Sequence, residues 1–301
     1  NYIKKSSTDR KKIINEFNWF VNLPNEVSVY SPKVWDLDCN EASYKIEFIG
    51  APTLQEKWVF GNLPDKIFSE AIKDIFSLIN KMRSHQCKCD LEDKKNIFKN
   101  LYIQKTEDRL LDFISETKFN PEKAVKIGGL EFPTLNEFKS EVFCKLNDRI
   151  EGINDSALYL MHGDLCFSNI LLDNRCNSIK LIDPRGSLGN VDLGPNNNMG
   201  DYGYDVVKLG HSLIANYDFI VTGFFDLKYD LSCNVFELEI NRHVSDDLIA
   251  SFYLNAKNLG LSKSFVKSGI ANLFLSMLPL HKENEERQFA FLINAYKFYY
   301  S

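Results

Sequence analysis

The sequence predicts an α+β fold in two lobes, a small β-containing N-terminal lobe over residues 1–61 and a large, mainly helical C-terminal lobe over residues 62–301. Three observations predict it. Strand-like runs around a single helical stretch fill the first sixty or so positions, and long runs with apolar residues at helical spacing dominate the remainder of the chain. No Pro/Gly/Ser-rich linker interrupts the 301 residues, so the lobes are expected to share a cleft rather than stand apart. With 44% apolar and 13% aromatic residues the chain can bury a sizeable core.

Taken in order, Tyr2-Ile3-Lys4 reads as the end of a strand. Residues 9–23 place Ile13, Ile14, Phe17 and Phe20 at helical spacing and stop at Pro24. Strands are expected at 27–30 and 43–49, the second ending at Gly50. Residues 64–85 carry Ile67, Ala71, Ile75, Leu78, Ile79 and Met82 on one helical face, and 93–118 form a second helical stretch. Thr134 followed by Glu137 has the spacing of a capping box for a helix running to Ile150. Short strands at 169–173 and 178–182 flank the turn-rich Asp173-Asn174-Arg175-Cys176-Asn177. A helix after Asp205 reaches Ala215, an extended region leads to Ile240, and helices are expected near 245–259, 263–280 and 283–300. There is no internal repeat.

Charge and cysteine usage narrow the function classes. The net charge is −5 and basic clusters such as Lys94-Lys95 are broken by acids, which argues against nucleic acid as a partner. No apolar run approaches the ~18 residues of a membrane span, and Asn1-Tyr2-Ile3-Lys4-Lys5 is not a signal sequence, so a cytoplasmic protein is expected. Seven cysteines, Cys39, Cys87, Cys89, Cys144, Cys166, Cys176 and Cys233, are odd in number and lack framework spacing, as for reduced thiols. His85-Gln86-Cys87-Lys88-Cys89 lacks a second ligand pair for zinc and reads as the loop at a helix end.

The chemistry is concentrated in Leu160-Met161-His162-Gly163-Asp164-Leu165-Cys166-Phe167-Ser168-Asn169-Ile170-Leu171-Leu172-Asp173 and in Ile179-Lys180-Leu181-Ile182-Asp183-Pro184-Arg185-Gly186. An apolar strand delivers a His-Gly-Asp turn, Asn169 follows Asp164 at the fifth position, and Asp183 ends the next strand. The hairpin between them returns Asp183 to the end that carries Asn169. Phosphoryl transfer asks for positioning and charge neutralisation rather than covalent help. A carboxylate at a loop tip, Asp164, can orient an acceptor hydroxyl and take its proton. An amide oxygen and a second carboxylate, Asn169 and Asp183, are hard ligands suited to Mg²⁺ on a triphosphate.

This segment resembles the catalytic loop of the aminoglycoside phosphotransferase and choline kinase-like superfamily, whose pattern is H-G-D-x-x-x-x-N followed by I-D. The resemblance implies a two-lobed protein-kinase-like fold, ATP and Mg²⁺ as cofactors, and phosphorylation of a hydroxyl on a small-molecule acceptor. It implies that Asp164 is the base and that His162 is a structural member of the loop, bonding backbone. Protein kinases carry Arg where this chain has Gly163, and the chain lacks Asp-Phe-Gly and Ala-Pro-Glu segments, which favours the small-molecule branch. Asp205 stands where the superfamily has an Asp opening a helix behind the loop. It reads both as the N-cap of that helix and as a support for the loop backbone, with Asp201 as the alternative.

The same resemblance assigns the N-terminal lobe to the nucleotide. A strand lysine against the phosphates, oriented by a helix glutamate, is expected from Lys4 or Lys5 with Glu16, Lys4 being preferred. Glu47, Phe48 and Ile49 are then the stretch whose backbone meets adenine. The family also has two strands and a phosphate-covering turn ahead of its lysine strand, and only three residues precede Lys4 here. A missing upstream region, or a fused one such as a nucleotidyltransferase domain, is therefore expected. For the acceptor, Asp183-Pro184-Arg185 resembles the sugar-phosphorylating branches, with Arg185 as a substrate ligand for an anionic group. A sugar or polyol derivative, one feeding surface polysaccharide synthesis, is favoured over an amino alcohol such as choline. The alternative is a nucleotide-binding pseudokinase or regulatory module without turnover.

Overall fold

The computed structural model describes residues 1–173, 175, 178–187, 197–242 and 244–301. The N-terminal elements are β1 (Tyr2–Ser6), α1 (Arg10–Val21), α2 (Asn25–Ser28), β2 (Val34–Asp38) and β3 (Ser43–Glu47). Asp9 caps α1 by accepting the Lys12 amide at 3.0 Å. The strand expected at 27–30 is instead a helical turn: Pro24 presets the backbone, and its carbonyl accepts the amides of Val27 and Ser28. β2 went unread because its alternation is broken by a register shift between Trp35 and Asp38, with Asp36 at φ 53°. The three strands form an antiparallel sheet in the order β1-β3-β2.

Next come α3 (Leu54–Val59), α4 (Asp65–Ser84), β4 (Gln86–Lys88) and α5 (Leu91–Lys99), then a π-helical turn at Asn100–Gln104 and α6 (Lys105–Glu116). The helical stretch expected at 93–118 thus carries an interruption, and the His85–Cys89 segment expected as a loop contains a strand. β5 (Val125–Ile127), β6 (Leu130–Phe132), α7 (Leu135–Glu151) and β7 (Ala157–Leu160) succeed them, with the predicted Thr134–Glu137 capping box in place on α7. A 3₁₀ turn (Phe167–Asn169) leads into the hairpin β8 (Ile170–Asp173) and β9 (Ser178–Leu181). Of the connecting turn, Asn174, Cys176 and Asn177 lie outside the described residues. The remaining elements are β10 (Met199–Gly200), α8 (Tyr202–Leu213), α9 (Tyr217–Val221), β11 (Asp226–Asp230), β12 (Val235–Glu239), α10 (Asp246–Asn258), α11 (Lys263–Met277) and α12 (Glu285–Tyr300). α11 ends in a 3₁₀ turn at Leu278–His281, where Pro279 cannot continue the α-helical ladder.

The chain forms two compact units, each assembled from two stretches of sequence. The first comprises Asn1–Ile97 and Ser156–Leu209, the second Phe98–Asp155 and Gly210–Ser301. The expected lobe boundary at residue 61 falls inside the first. That unit holds the β1-β3-β2 sheet, a second sheet ordered β10-β7-β4 and the β8-β9 hairpin. Its core includes the fully buried Trp58, edge-on to Phe68 at 4.6 Å and to Phe167 at 5.8 Å. The second unit packs α11 against α6, α7 and α12 and carries a four-stranded sheet ordered β11-β12-β5-β6. Among the described residues no helix is long and apolar enough to cross a membrane, and their six cysteines are free thiols.

Candidate active site

Every candidate site residue read from the sequence lies in the first unit. β7 delivers the loop 161–169, and two anchors hold its backbone. Trp19 of α1 donates its indole N–H to the Met161 carbonyl at 2.8 Å. Asp205 of α8 accepts the amides of His162 and Gly163, one on each carboxylate oxygen, both at 2.7 Å. Asp205 is therefore a clamp on the loop and not the cap of its own helix. That second role falls to Asp201, which accepts the Gly203 amide at 2.9 Å. Burial pushes the Asp205 carboxyl up to about 7, against the two loop amides that favour its charged form.

Gly163 adopts φ 79°, and a Cβ there would lie 2.8 Å from the Arg185 Cβ, so the turn requires glycine. His162 is wholly buried, edge-on to Trp19 at 5.4 Å. Its Nε2 lies 3.0 Å from the Ile182 carbonyl, and its Nδ1 accepts the Asp164 amide at 3.3 Å. Since a carbonyl only accepts and an amide only donates, the proton sits on Nε2. Burial pulls the ring's pKa down to about 4, against the nearby Asp164 charge and the Ile182 hydrogen bond. The ring is a neutral brace between the two motif segments.

Asp164 reaches out of this frame with its carboxylate partly exposed. One oxygen takes the Lys208 ammonium at 2.8 Å, and the other accepts the Asn169 amide N–H at 3.0 Å. Burial acts to raise Asp164, but the Lys208 charge and hydrogen bond, with help from His162 and Arg185, hold it at about 2. The Asn169 amide nitrogen also donates to the Asp164 carbonyl at 2.8 Å, so its oxygen faces the other way, with only a long 3.4 Å contact from the Ser168 hydroxyl. The Asn169 carbonyl accepts the Ile182 amide at 3.0 Å and so ties β8 to the start of the Asp183 segment.

Asp183 takes φ 56°, a strained setting for a non-glycine residue and a tight one ahead of Pro184. Its half-exposed carboxylate meets the Lys5 ammonium at 2.6 Å. Lys5 also bonds Glu16, whose Oε1 takes the Tyr44 hydroxyl at 2.8 Å as well. Burial acts against the Lys5 charge, and the bonds to Asp183 and Glu16 outweigh it and raise its pKa. Lys4, the lysine preferred from sequence, points elsewhere: alternation along β1 puts it on the other face, exposed and paired with Glu41. Gly186 seals the arrangement. At φ 68° it lies so close to α1 that a Cβ would stand 2.5 Å from the backbone of Asn15.

Arg185 donates its amide to the His162 carbonyl at 2.9 Å, which places the residue beside the loop. Glu47 and Phe48 are exposed at the end of β3, with Glu47 accepting the Lys33 amide at 3.0 Å and Ile49 partly buried. Lys208 and Tyr44 escaped the sequence reading, which offered Asp201 only as the alternative to Asp205. Lys208 had one legible signal, since it follows Asp205 by three positions and so shares its helix face.

The residues fit a magnesium triphosphate. Among the described residues no three His, Cys, Asp or Glu side chains converge on a metal-sized site. Asn169 and Asp183 offer two hard oxygen donors that would hold Mg²⁺, with phosphate oxygens and water to complete its set. No protein-family model and no curated protein sequence matches the chain. Solved structures do. It is similar to a glucosamine kinase over 98% of its own length and 70% of that chain, with 10% identity and a TM-score of 0.53. A choline kinase from Streptococcus pneumoniae aligns over 99% and 85% with 13% identity and a TM-score of 0.48. An aminoglycoside-3'-phosphotransferase of type VIII aligns over 91% and 84% with 14% identity and a TM-score of 0.47. The chain has the α+β, protein-kinase-like fold that is found in small-molecule kinases.

Proposed function

We propose that this chain is an ATP-dependent small-molecule kinase acting on a hydroxyl of a sugar or polyol derivative. The observation that carries the reading is the gathering of Asp164, Asn169, Asp183, Lys5 and Glu16 in one compact unit, with Asn169 bonded to Asp164 and Lys5 bonded to both Asp183 and Glu16. Asp164 orients the acceptor hydroxyl and accepts its proton. Asn169 and Asp183 hold Mg²⁺, which neutralises charge on the triphosphate. Lys5, oriented by Glu16, lies against the phosphates, and the exposed Phe48 ring with the backbone of residues 47–49 faces the base.

The charge around Asp164 supports the acceptor class. Lys208 is bonded to Asp164 and Arg185 acts on it electrostatically, so two cations stand beside the carboxylate that receives the hydroxyl. A quaternary ammonium or polyamine there meets like charge, whereas neutral or anionic hydroxyl compounds do not.

Coupled ADP release with MgATP over sugars, polyols, amino alcohols and amino acids tests this. Stimulation by a sugar or polyol above the water background is the expected result. Stimulation by choline or ethanolamine alone would overturn the acceptor class. Absence of both stimulation and MgATP binding would overturn the kinase.

A further inference from the structure

Arg185 is a half-buried cation that the folded chain leaves without an anion. Its amide donates to the His162 carbonyl at 2.9 Å, and Pro184 before it and Gly186 after it are buried, so its backbone is fixed on both sides. The stem of its side chain lies along the loop turn: a Cβ on Gly163 would meet the Arg185 Cβ at 2.8 Å and its Cδ at 3.4 Å. Among the described residues the guanidinium has no ion pair and no hydrogen bond. Five N–H donors drawn partly out of water carry a desolvation cost that a partner normally offsets. The carboxylate whose ionisation its charge favours, Asp164, is already taken, by Lys208 on one oxygen and Asn169 on the other. Arg185 also lines a small cleft with His162, Gly163, Ser187 and Asn198, and no described residue of that cleft is acidic.

We propose that Arg185 holds an anionic group of the acceptor, a carboxylate or a phosphate, so that the substrate is an acidic or already phosphorylated sugar or polyol whose free hydroxyl meets Asp164. The inference rests on the kinase reading above and narrows its acceptor class. The planar fork of a guanidinium grips a carboxylate or phosphate with two parallel hydrogen bonds, and a fixed stem leaves little ordering to be done on binding. Held at the anion by Arg185 and at the hydroxyl by Asp164, the acceptor is aligned at two points before the transfer. The other anion that could reach Arg185 is the triphosphate of the nucleotide. The geometry favours the acceptor. The groups that act on Lys5, the proposed phosphate lysine, are Glu16 and Asp183, whereas the charge of Arg185 acts on Asp164. Asp183, at φ 56°, turns the chain between the two.

The experiment measures binding to the full chain, without nucleotide, by saturation-transfer NMR with two matched pairs: glucuronate against glucose, and glycerol 3-phosphate against glycerol. At least one anion should bind the native chain more tightly than its neutral partner. Arg185→Met keeps the stem and removes the charge, and it should weaken that anion by roughly 10–100-fold, the range for a hydrogen bond to a charged group. Arg185→Lys should recover only part of the loss, because an ammonium lacks the planar fork. The neutral partners should lose far less, and in coupled ADP release the KM for the anion should rise with its dissociation constant. Arg185→Gln, which keeps a donor without charge, carries the same test if the Met variant does not fold. A native chain that binds neither anion better than its neutral partner overturns the proposal, as does an equal loss for both members of a pair. A variant that loses MgADP affinity and keeps that of the anion gives Arg185 to the nucleotide and overturns it too. Binding is read without turnover. An anion site that depends on Arg185 in a chain that releases no ADP with any acceptor would therefore contradict the kinase reading and leave the anion site standing.

Discussion

At the scale of single residues, the two acids of the site sit in different surroundings and should fail differently. Asp164 is committed to Lys208 and Asn169, and no bond joins it to Lys5 or Asp183. Asp164→Asn should therefore leave MgATP affinity nearly intact and cut turnover by ~10²–10⁴, the range for a general base. Asp183 bonds the proposed phosphate lysine and is the carboxylate of the proposed metal pair, so Asp183→Ala should remove the Mg²⁺ dependence of nucleotide binding. Calorimetry with a non-hydrolysable ATP analogue, with and without Mg²⁺, separates the two. Equal losses of binding in both variants would contradict these roles. His162 makes a prediction about pH. Its folded pKa of about 4 lies below the ordinary 6.5, so between those values the unfolded chain binds a proton that the folded chain refuses. The resulting stability is full above pH 6.5 and is lost as pH falls through 4, on the order of 3 kcal/mol in all. Asp205, raised to about 7, has the opposite sign: its contribution is full below its unfolded value near 3.8 and fades as pH rises through 7. The two slopes offset each other across the shared interval, so the stability curve hides both. The ring signal of His162 does not, and it should stay that of a neutral imidazole from pH 8 to 5. Titration with a midpoint above 6 would remove the brace role.

At the scale of elements, legibility followed periodicity and capping chemistry. α4 and α7 were readable because long apolar faces and, in α7, the Thr134–Glu137 box are local signals. The loop core from His162 to Asn169 was readable because its spacing is contiguous. The short strands β4, β5 and β6 were not, since three-residue strands have too few positions to alternate and owe their existence to partners far away in sequence. The choice between Lys4 and Lys5 failed for a related reason: adjacent strand residues face opposite ways, and only the register of β1 on β3 says which faces Glu16. Gly186 illustrates how one such contact holds the site. Alanine there would need φ 68° and would press on the Asn15 backbone, with no flexible side chain to yield. A left-handed setting costs about 1–2 kcal/mol and overpacking about 1–3, so Gly186→Ala should destabilise by roughly 2–5 kcal/mol in denaturant. The strain falls on α1, which carries Glu16, and nucleotide affinity should weaken in any folded fraction. A variant as stable as the native chain would mean that this contact is looser than the geometry implies.

At the scale of the whole molecule, neither compact unit is a continuous piece of chain. The sequence goes from the first unit to the second after Ile97, returns at Ser156 and leaves again after Leu209. A break between Asp155 and Ser156, in an exposed stretch after α7, therefore leaves each half-chain with one part of both units. Residues 1–155 hold β4 but not its partner β7, and α7 but not α11. Residues 156–301 hold β12 but not β5, and the loop of Asp164 and Asn169 without Trp19, which anchors its first residue. Each half would expose apolar faces that the intact chain buries, and neither has a core of its own. Expressed separately, both halves should lack a cooperative unfolding transition. When mixed, they should recover one, together with the near-ultraviolet circular dichroism of the packed Trp19 and Trp58 rings. If either half alone unfolds cooperatively, the units are not the folding units of this chain, and the motif loop can be shaped without the N-terminal segment that supplies Lys5 and Glu16.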